Sequence, residues 1–121
     1  VAPTKVLIVP LSSNPQLNPL AHKLSARLRK LNIPNVIDAS SASIGKRYAR
    51  NDELGTPLGV TIDFESLKDG SVTLRERDSM VQVRGAEGDV VLAIKGLVEG
   101  SETWEQVTAR MEVFRGQEED Q

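Results

Sequence analysis

The 121-residue sequence predicts an α/β domain with a mixed sheet, and three observations carry that prediction. Val6-Leu-Ile-Val9 is an unbroken apolar run, the pattern of a central strand covered on both faces. An apolar stripe at helical spacing follows it, and then a second short strand, which makes a right-handed βαβ unit. Further along, two segments alternate with period two around turn residues, the mark of an antiparallel hairpin. Parallel strands first and antiparallel strands later require a mixed sheet.

The elements follow in order. Lys5 to Pro10 is the first strand, and Leu11 to Pro15, rich in Ser, Asn and Pro, is a loop. Leu20, Ala21, Leu24, Leu28 and Leu31 form one helical stripe, with Asn14-Pro15 or Asn18-Pro19 supplying the cap and first-turn proline. Val36-Ile37-Asp38 is the second strand. Small polar residues from Ala39 to Ser43 give a loop and a cap for a helix over Ile44–Leu54, closed by Gly55. Leu58 to Phe64 reads as a third strand that gives way to a loop at Phe64-Glu65. Asp69-Gly70 is a turn signal. Val72 and Leu74 then alternate against Thr73, Arg75 and Arg77, and Met80 to Arg84 makes the partner strand. Val90, Val91, Ile94, Leu97 and Val98 mark another helix. Thr103 with Gln106 resembles a capping box for a last helix carrying Trp104, Val107, Met111 and Phe114 on one face.

Composition excludes whole classes. No run of about 18 apolar residues exists to span a membrane. The absence of Cys removes disulfides, thiolate metal sites and Cys nucleophiles, and the single His22, expected to face solvent, makes a Ser-His-Asp hydrolase or a multi-His metal site untenable. The net charge of −2 argues against nonspecific coating of nucleic acid. Glu118, Glu119 and Asp120 concentrate acid in residues 117–121, so one domain over 1–116 with a solvated, disordered acidic tail is expected, its body holding 15 basic against 14 acidic residues. The missing initial Met and signal-like segment read as a piece cut from a longer protein.

Three kinds of site are open to such a sequence. A phosphate-binding loop fails because Pro10-Leu11-Ser12-Ser13-Asn14 lacks the glycines that let backbone amides approach phosphates, which leaves Asp38 a loop or cap acid. Paired catalytic carboxylates are not indicated, since Arg75-Glu76-Arg77-Asp78 interleaves charges as surface ion pairs do. The third candidate is a basic, aromatic surface. Lys46, Arg47 and Arg50 lie three or four apart around Tyr48, Arg75 and Arg77 share a strand face, Arg84 ends the next strand, and Phe64-Glu65 sits at a strand end. Cations for phosphates and base edges, rings for stacking and a carboxylate to accept from a cytosine amino group suit a single-stranded RNA loop. A solvated charged face with Tyr48 and Phe64 partly in the core stays open as the alternative.

Ser43-Ile-Gly-Lys-Arg-Tyr-Ala-Arg-Asn-Asp-Glu-Leu-Gly55, Gly59-Val-Thr-Ile-Asp-Phe64 and Val72-Thr-Leu-Arg-Glu-Arg-Asp-Ser79 closely resemble the C-terminal anticodon-binding domain of eukaryotic-type glycyl-tRNA synthetases. Gln82-Val-Arg84, Thr103-Trp104 and the first strand extend the resemblance over nearly the whole chain. It implies the class IIa anticodon-binding fold, a mixed five-stranded sheet flanked by helices. It implies that this chain, itself without catalytic residues, metal or cofactor, holds the anticodon of glycine tRNA while a separate domain attaches glycine using ATP and Mg. By similarity, Lys46 and Tyr48 face the anticodon loop, Phe64 stacks on a base, Glu65 accepts from a cytosine amino group and Arg77 donates to a cytosine. The same similarity makes Arg47, Arg50, Arg75 and Arg84 phosphate contacts, or ion-pair partners of Glu76 and Asp78. Relatives often carry Arg at Lys46 and Asp at Glu65. The resemblance further implies a homodimeric parent with its dimer contacts mostly outside this chain, in the cytoplasm and with a mitochondrial form left open. A protein-interaction module of the same fold is the alternative.

Overall fold

β1 (Val6–Pro10) is buried along its whole length and forms the middle of the parallel half of the sheet. The computed structural model describes residues 3–11, 15–40 and 42–114. The expected loop residues 12–14 and the acidic tail 117–121 lie outside them. A single 3₁₀ turn, Pro15–Leu17, leads into α1 (Asn18–Lys30), where Pro19 sits in the first turn and needs no amide partner. Asn18 does not cap this helix; Leu17 precedes it without a side-chain cap. β2 (Asn35–Ile37) returns parallel to β1, and α2 (Ile44–Glu53) starts where the Ser43 side chain accepts the Lys46 amide. β3 (Leu58–Ile62) pairs parallel with the other side of β1. α3 (Phe64–Asp69) follows, then β4 (Ser71–Glu76) and β5 (Gln82–Ala86) as an antiparallel hairpin. α4 (Glu87–Glu99), α5 (Trp104–Arg110) and β6 (Glu112–Val113) complete the order.

The strand order is β2-β1-β3-β4-β5-β6, so the expected mixed α/β sheet is present with six strands among the described residues rather than five. The sixth arises because α5 ends at Arg110. Met111 turns to an extended backbone, Val113 pairs with Val83, and the Phe114 amide donates to the Gln82 carbonyl. Met111 and Phe114 therefore do not continue the last helix, as their spacing had suggested. The third strand is also shorter than expected. It stops at Ile62, and Phe64-Glu65 opens α3 instead of a loop.

The alternation of β1 divides the molecule. Val6 and Ile8 face the large core, with Leu24 and Leu28 of α1, Val90 and Ile94 of α4 and Trp104 and Val107 of α5. Leu7 and Val9 face the other way, onto Ile44 and Tyr48 of α2. The register carries that second face across the sheet through Gly59, Thr61, Thr73, Arg75, Gln82 and Arg84. Its β1 end is apolar beneath α2 and its β4–β5 end is polar.

Candidate nucleic-acid interface

The chain leaves β1 toward β2 on one side, while β3 lies on the other, so the C-terminal ends of β1 and β3 meet at a topological switch point. Open α/β sheets bind ligands in such a crevice. α3 stands at this end, and its presence depends on Asp63. The carboxylate accepts the Ser66 amide at 3.1 Å while the Ser66 hydroxyl accepts the Asp63 amide at 3.1 Å, a reciprocal capping box. Gly70, at φ 73°, stops the helix in a left-handed conformation that disfavours residues with a Cβ. This short helix exposes Phe64 (45%) and Glu65 at its start, with Leu67 (42%) one turn on. An exposed phenyl ring beside an exposed carboxylate offers a stacking surface and an acceptor at the same point.

Arg84 of β5 fixes Asp63 from below. Its guanidinium donates to both carboxylate oxygens, at 2.8 and 2.9 Å, to the Ser71 hydroxyl at 2.9 Å and to the Thr73 hydroxyl at 3.2 Å, and it lies 5.2 Å from the Phe114 ring centre. Burial raises the Asp63 pKa, but the Arg84 hydrogen bonds and charge, with those from Ser66, outweigh it and hold the carboxyl below its ordinary value. Those same bonds to Asp63 push Arg84 above its ordinary value.

α2 is held to the sheet through residues that the pattern of cations and aromatics had suggested for RNA. Arg47 is 1% exposed, and its guanidinium donates to the carbonyls of Pro10 (2.7 Å), Asp38 (2.9 Å) and Leu11 (3.0 Å), tying together the ends of β1 and β2. Tyr48 is buried too. Its hydroxyl lies 2.7 Å from that of Thr61, and burial pushes its phenol up to about 12 despite that bond and the nearby Arg75 and Arg47 charges. Arg75 clamps the ring from β4: its guanidinium lies 4.5 Å from the ring centre and donates twice to Asp52, at 3.1 and 3.0 Å. The ring also lies against Gly59, where an added Cβ would come within 2.2 Å of Tyr48 Cε1. These contacts join α2 to β3 and β4.

The structure thus sorts the nine candidate residues. Phe64 and Glu65 are exposed together at the crevice end. Lys46 is exposed near the N-terminus of α2, at the same end of the sheet. It shares a helix flank with Arg50, which reaches Asp38 at 3.2 Å beyond β2, so Lys46 lies on the β2 side and apart from α3. Arg47 and Tyr48 are interior, and Arg75 and Arg84 are engaged by Asp52 and Asp63 rather than by Glu76 or Asp78. Arg77 stands at the opposite end of β3. Its amide donates to the Pro57 carbonyl and its side chain pairs with Asp78 at 3.0 Å. From Pro57 to Asp63 the strand advances roughly 20 Å, so one nucleotide cannot touch both Arg77 and Phe64. Sequence reasoning missed Asp63. Its signal was the Asp-x-x-Ser spacing ahead of Phe64-Glu65-Ser66, hidden because Ser rather than Glu or Gln stands at the third position.

Comparison with known proteins identifies the kind of domain. A family model described as an anticodon binding domain matches residues 5–97. The mitochondrial glycine–tRNA ligase 1 of Saccharomyces cerevisiae is 57% identical over 119 residues, covering 98% of this chain and 17% of that protein. The glycine–tRNA ligase of Drosophila melanogaster is 46% identical, covering 98% and 16%. Among solved structures, histidyl-tRNA synthetase from Nostoc sp. PCC 7120 superposes with a TM-score of 0.72 at 24% identity, over 80% of this chain and 23% of that one. The RNA binding domain of threonyl-tRNA synthetase from Cryptosporidium parvum Iowa II gives 0.71 at 21%, over 79% and 24%. These two likenesses show the fold. The chain spans less than a fifth of the length of the curated relatives it matches.

Proposed function

The chain belongs to the anticodon-binding domain family, in the form carried by glycine–tRNA ligases, and from that premise we propose that it recognises the anticodon loop of glycine tRNA through the crevice end of its sheet. The observation that carries the site is α3. It presents Phe64 and Glu65, exposed and adjacent, on a helix start held by the Asp63 capping box. The phenyl ring stacks on a splayed base, worth roughly 1–3 kcal/mol, while the carboxylate accepts from a cytosine amino group. Lys46 meets the loop from the other side of β1, as a point charge on a phosphate rather than a bidentate fork. Arg77 meets a different nucleotide, about a strand length away. Arg47, Tyr48 and Arg75 act on recognition only by fixing α2 to the sheet.

In this reading the parent protein is a glycine–tRNA ligase whose catalytic domain, outside this chain, attaches glycine using ATP and Mg. The parent is a homodimer and works in the cytoplasm, with a mitochondrial form suggested by the yeast relative's name. The test is binding of the anticodon stem-loop of glycine tRNA at fixed salt by wild type, Phe64→Ala and Glu65→Gln. Loss of about tenfold or more in affinity, with the thermal midpoint unchanged, is the expected result for Phe64→Ala. Unchanged affinity in both variants would remove α3 from the interface.

A further inference from the structure

Asp63 and Arg84 form the most completely bonded charged pair at the crevice, and neither presents its charge freely outward. Their side chains are 10% and 13% exposed. Asp63 directly precedes Phe64, and its carboxylate is shared between two tasks, starting α3 and receiving the Arg84 fork. Arg84 is itself held on the sheet by the hydroxyls of Ser71 and Thr73 and by the Phe114 ring. A bidentate fork fixes direction as well as distance. The angle at which α3 leaves β3 is therefore set by β4 and β5 through one guanidinium.

We propose that the Asp63–Arg84 pair is a positioning device for base recognition: it aims Phe64 and Glu65 without touching the RNA, and so determines how well the site tells cytosine from uracil. This rests on the reading that α3 meets the anticodon. It differs from the expectation that Arg84 binds a backbone phosphate, and the two make opposite predictions for one substitution. Asp63→Asn keeps a good helix cap but weakens the hold on Arg84. If Arg84 were a phosphate ligand, that change would free its charge and strengthen binding to any loop. If the pair aims α3, the change instead blunts discrimination.

The experiment titrates wild type, Asp63→Asn and Arg84→Lys with two stem-loops across a salt series, one bearing the glycine anticodon and one in which the two cytosines that glycine anticodons share, at the second and third positions, are changed to uracil. Backbone amide NMR shifts of Phe64 and Glu65 are recorded on the free proteins. Both variants are expected to unfold cooperatively, to shift those amides, and to lose about tenfold in the cytosine-to-uracil affinity ratio, with uracil-loop binding and salt slope nearly unchanged. An unchanged ratio in either folded variant would overturn the proposal. So would equal weakening on both loops in Arg84→Lys, or strengthening on both loops in Asp63→Asn with a steeper salt slope, as a freed phosphate contact requires. Loss of the fold in both variants would make the pair a stability element and overturn the aiming role. If wild type itself shows no preference, the underlying reading of α3 fails first, a result distinguishable because it needs no substitution.

Discussion

Gly59→Ala places a methyl group where none fits. The new Cβ would lie 2.2 Å from Tyr48 Cε1 and 3.0 Å from Cζ and the hydroxyl oxygen, so the ring has to leave its seat between β3 and Arg75. Overpacking of this kind costs about 1–3 kcal/mol. Displacing the ring also breaks the 2.7 Å bond to the Thr61 hydroxyl, about 0.5–1.5 kcal/mol more. Together these give a destabilisation of roughly 2–4 kcal/mol, a large share of the 5–15 kcal/mol of an ordinary domain. Urea unfolding followed by circular dichroism measures it. With a slope of about 2 kcal/mol per molar, the midpoint should fall by roughly 1–2 M. Tyr48→Ala in the same background should recover at least about 1 kcal/mol of the Gly59→Ala cost, because the clash partner is gone. A Gly59→Ala midpoint within 0.2 M of wild type, or costs that simply add, would refute the packing of α2 described above.

Other outcomes follow from the same contacts. Arg47→Met leaves three carbonyls without their buried donor and should cost more than about 3 kcal/mol, seen as a lowered urea midpoint or an unfolded chain; a surface phosphate ligand would cost almost nothing. Arg77→Ala should weaken stem-loop binding while leaving the thermal midpoint within a few degrees, because its guanidinium pairs only with the adjacent Asp78 among the bonds described. The folded-state pKa of Asp63 is depressed, so its contribution to stability is complete above the unfolded value, near 3.8, and disappears as pH falls through the folded one. Acid unfolding of Asp63→Asn should therefore start from lower stability near neutrality and show a shallower loss than wild type below about pH 4.

Much of the architecture was legible because its signals are local. The β1 run, the Leu24–Leu28 stripe, the Ser43 cap and the Thr103–Gln106 box each appear in the structure where the sequence put them. α3 was not legible, for two physical reasons. At six residues it is too short to show a helical stripe, and Ile62-Asp63-Phe64 continues the alternation of the strand before it. β6 was hidden because Val107, Met111 and Phe114 keep helical spacing past the true end of α5. The site was legible in residue type more than in direction. A buried guanidinium held by three backbone carbonyls, as at Arg47, runs against the usual rule that Arg stays at the surface, so the pattern around Tyr48 pointed outward when the fold turns it in. Phe64 and Glu65, by contrast, were named from the sequence and stand exposed side by side.

Base reading by this chain is proposed for the end of its sheet where β1 and β3 meet. It is tested most directly by titrating the chain with the glycine anticodon stem-loop and with the same loop carrying uracil at the two shared cytosines. A preference of about tenfold or more for the cytosine loop is expected in wild type, lost in Phe64→Ala and Glu65→Gln while weak binding to the uracil loop persists. Equal affinity of wild type for the two loops would contradict it and leave the chain a backbone-binding surface.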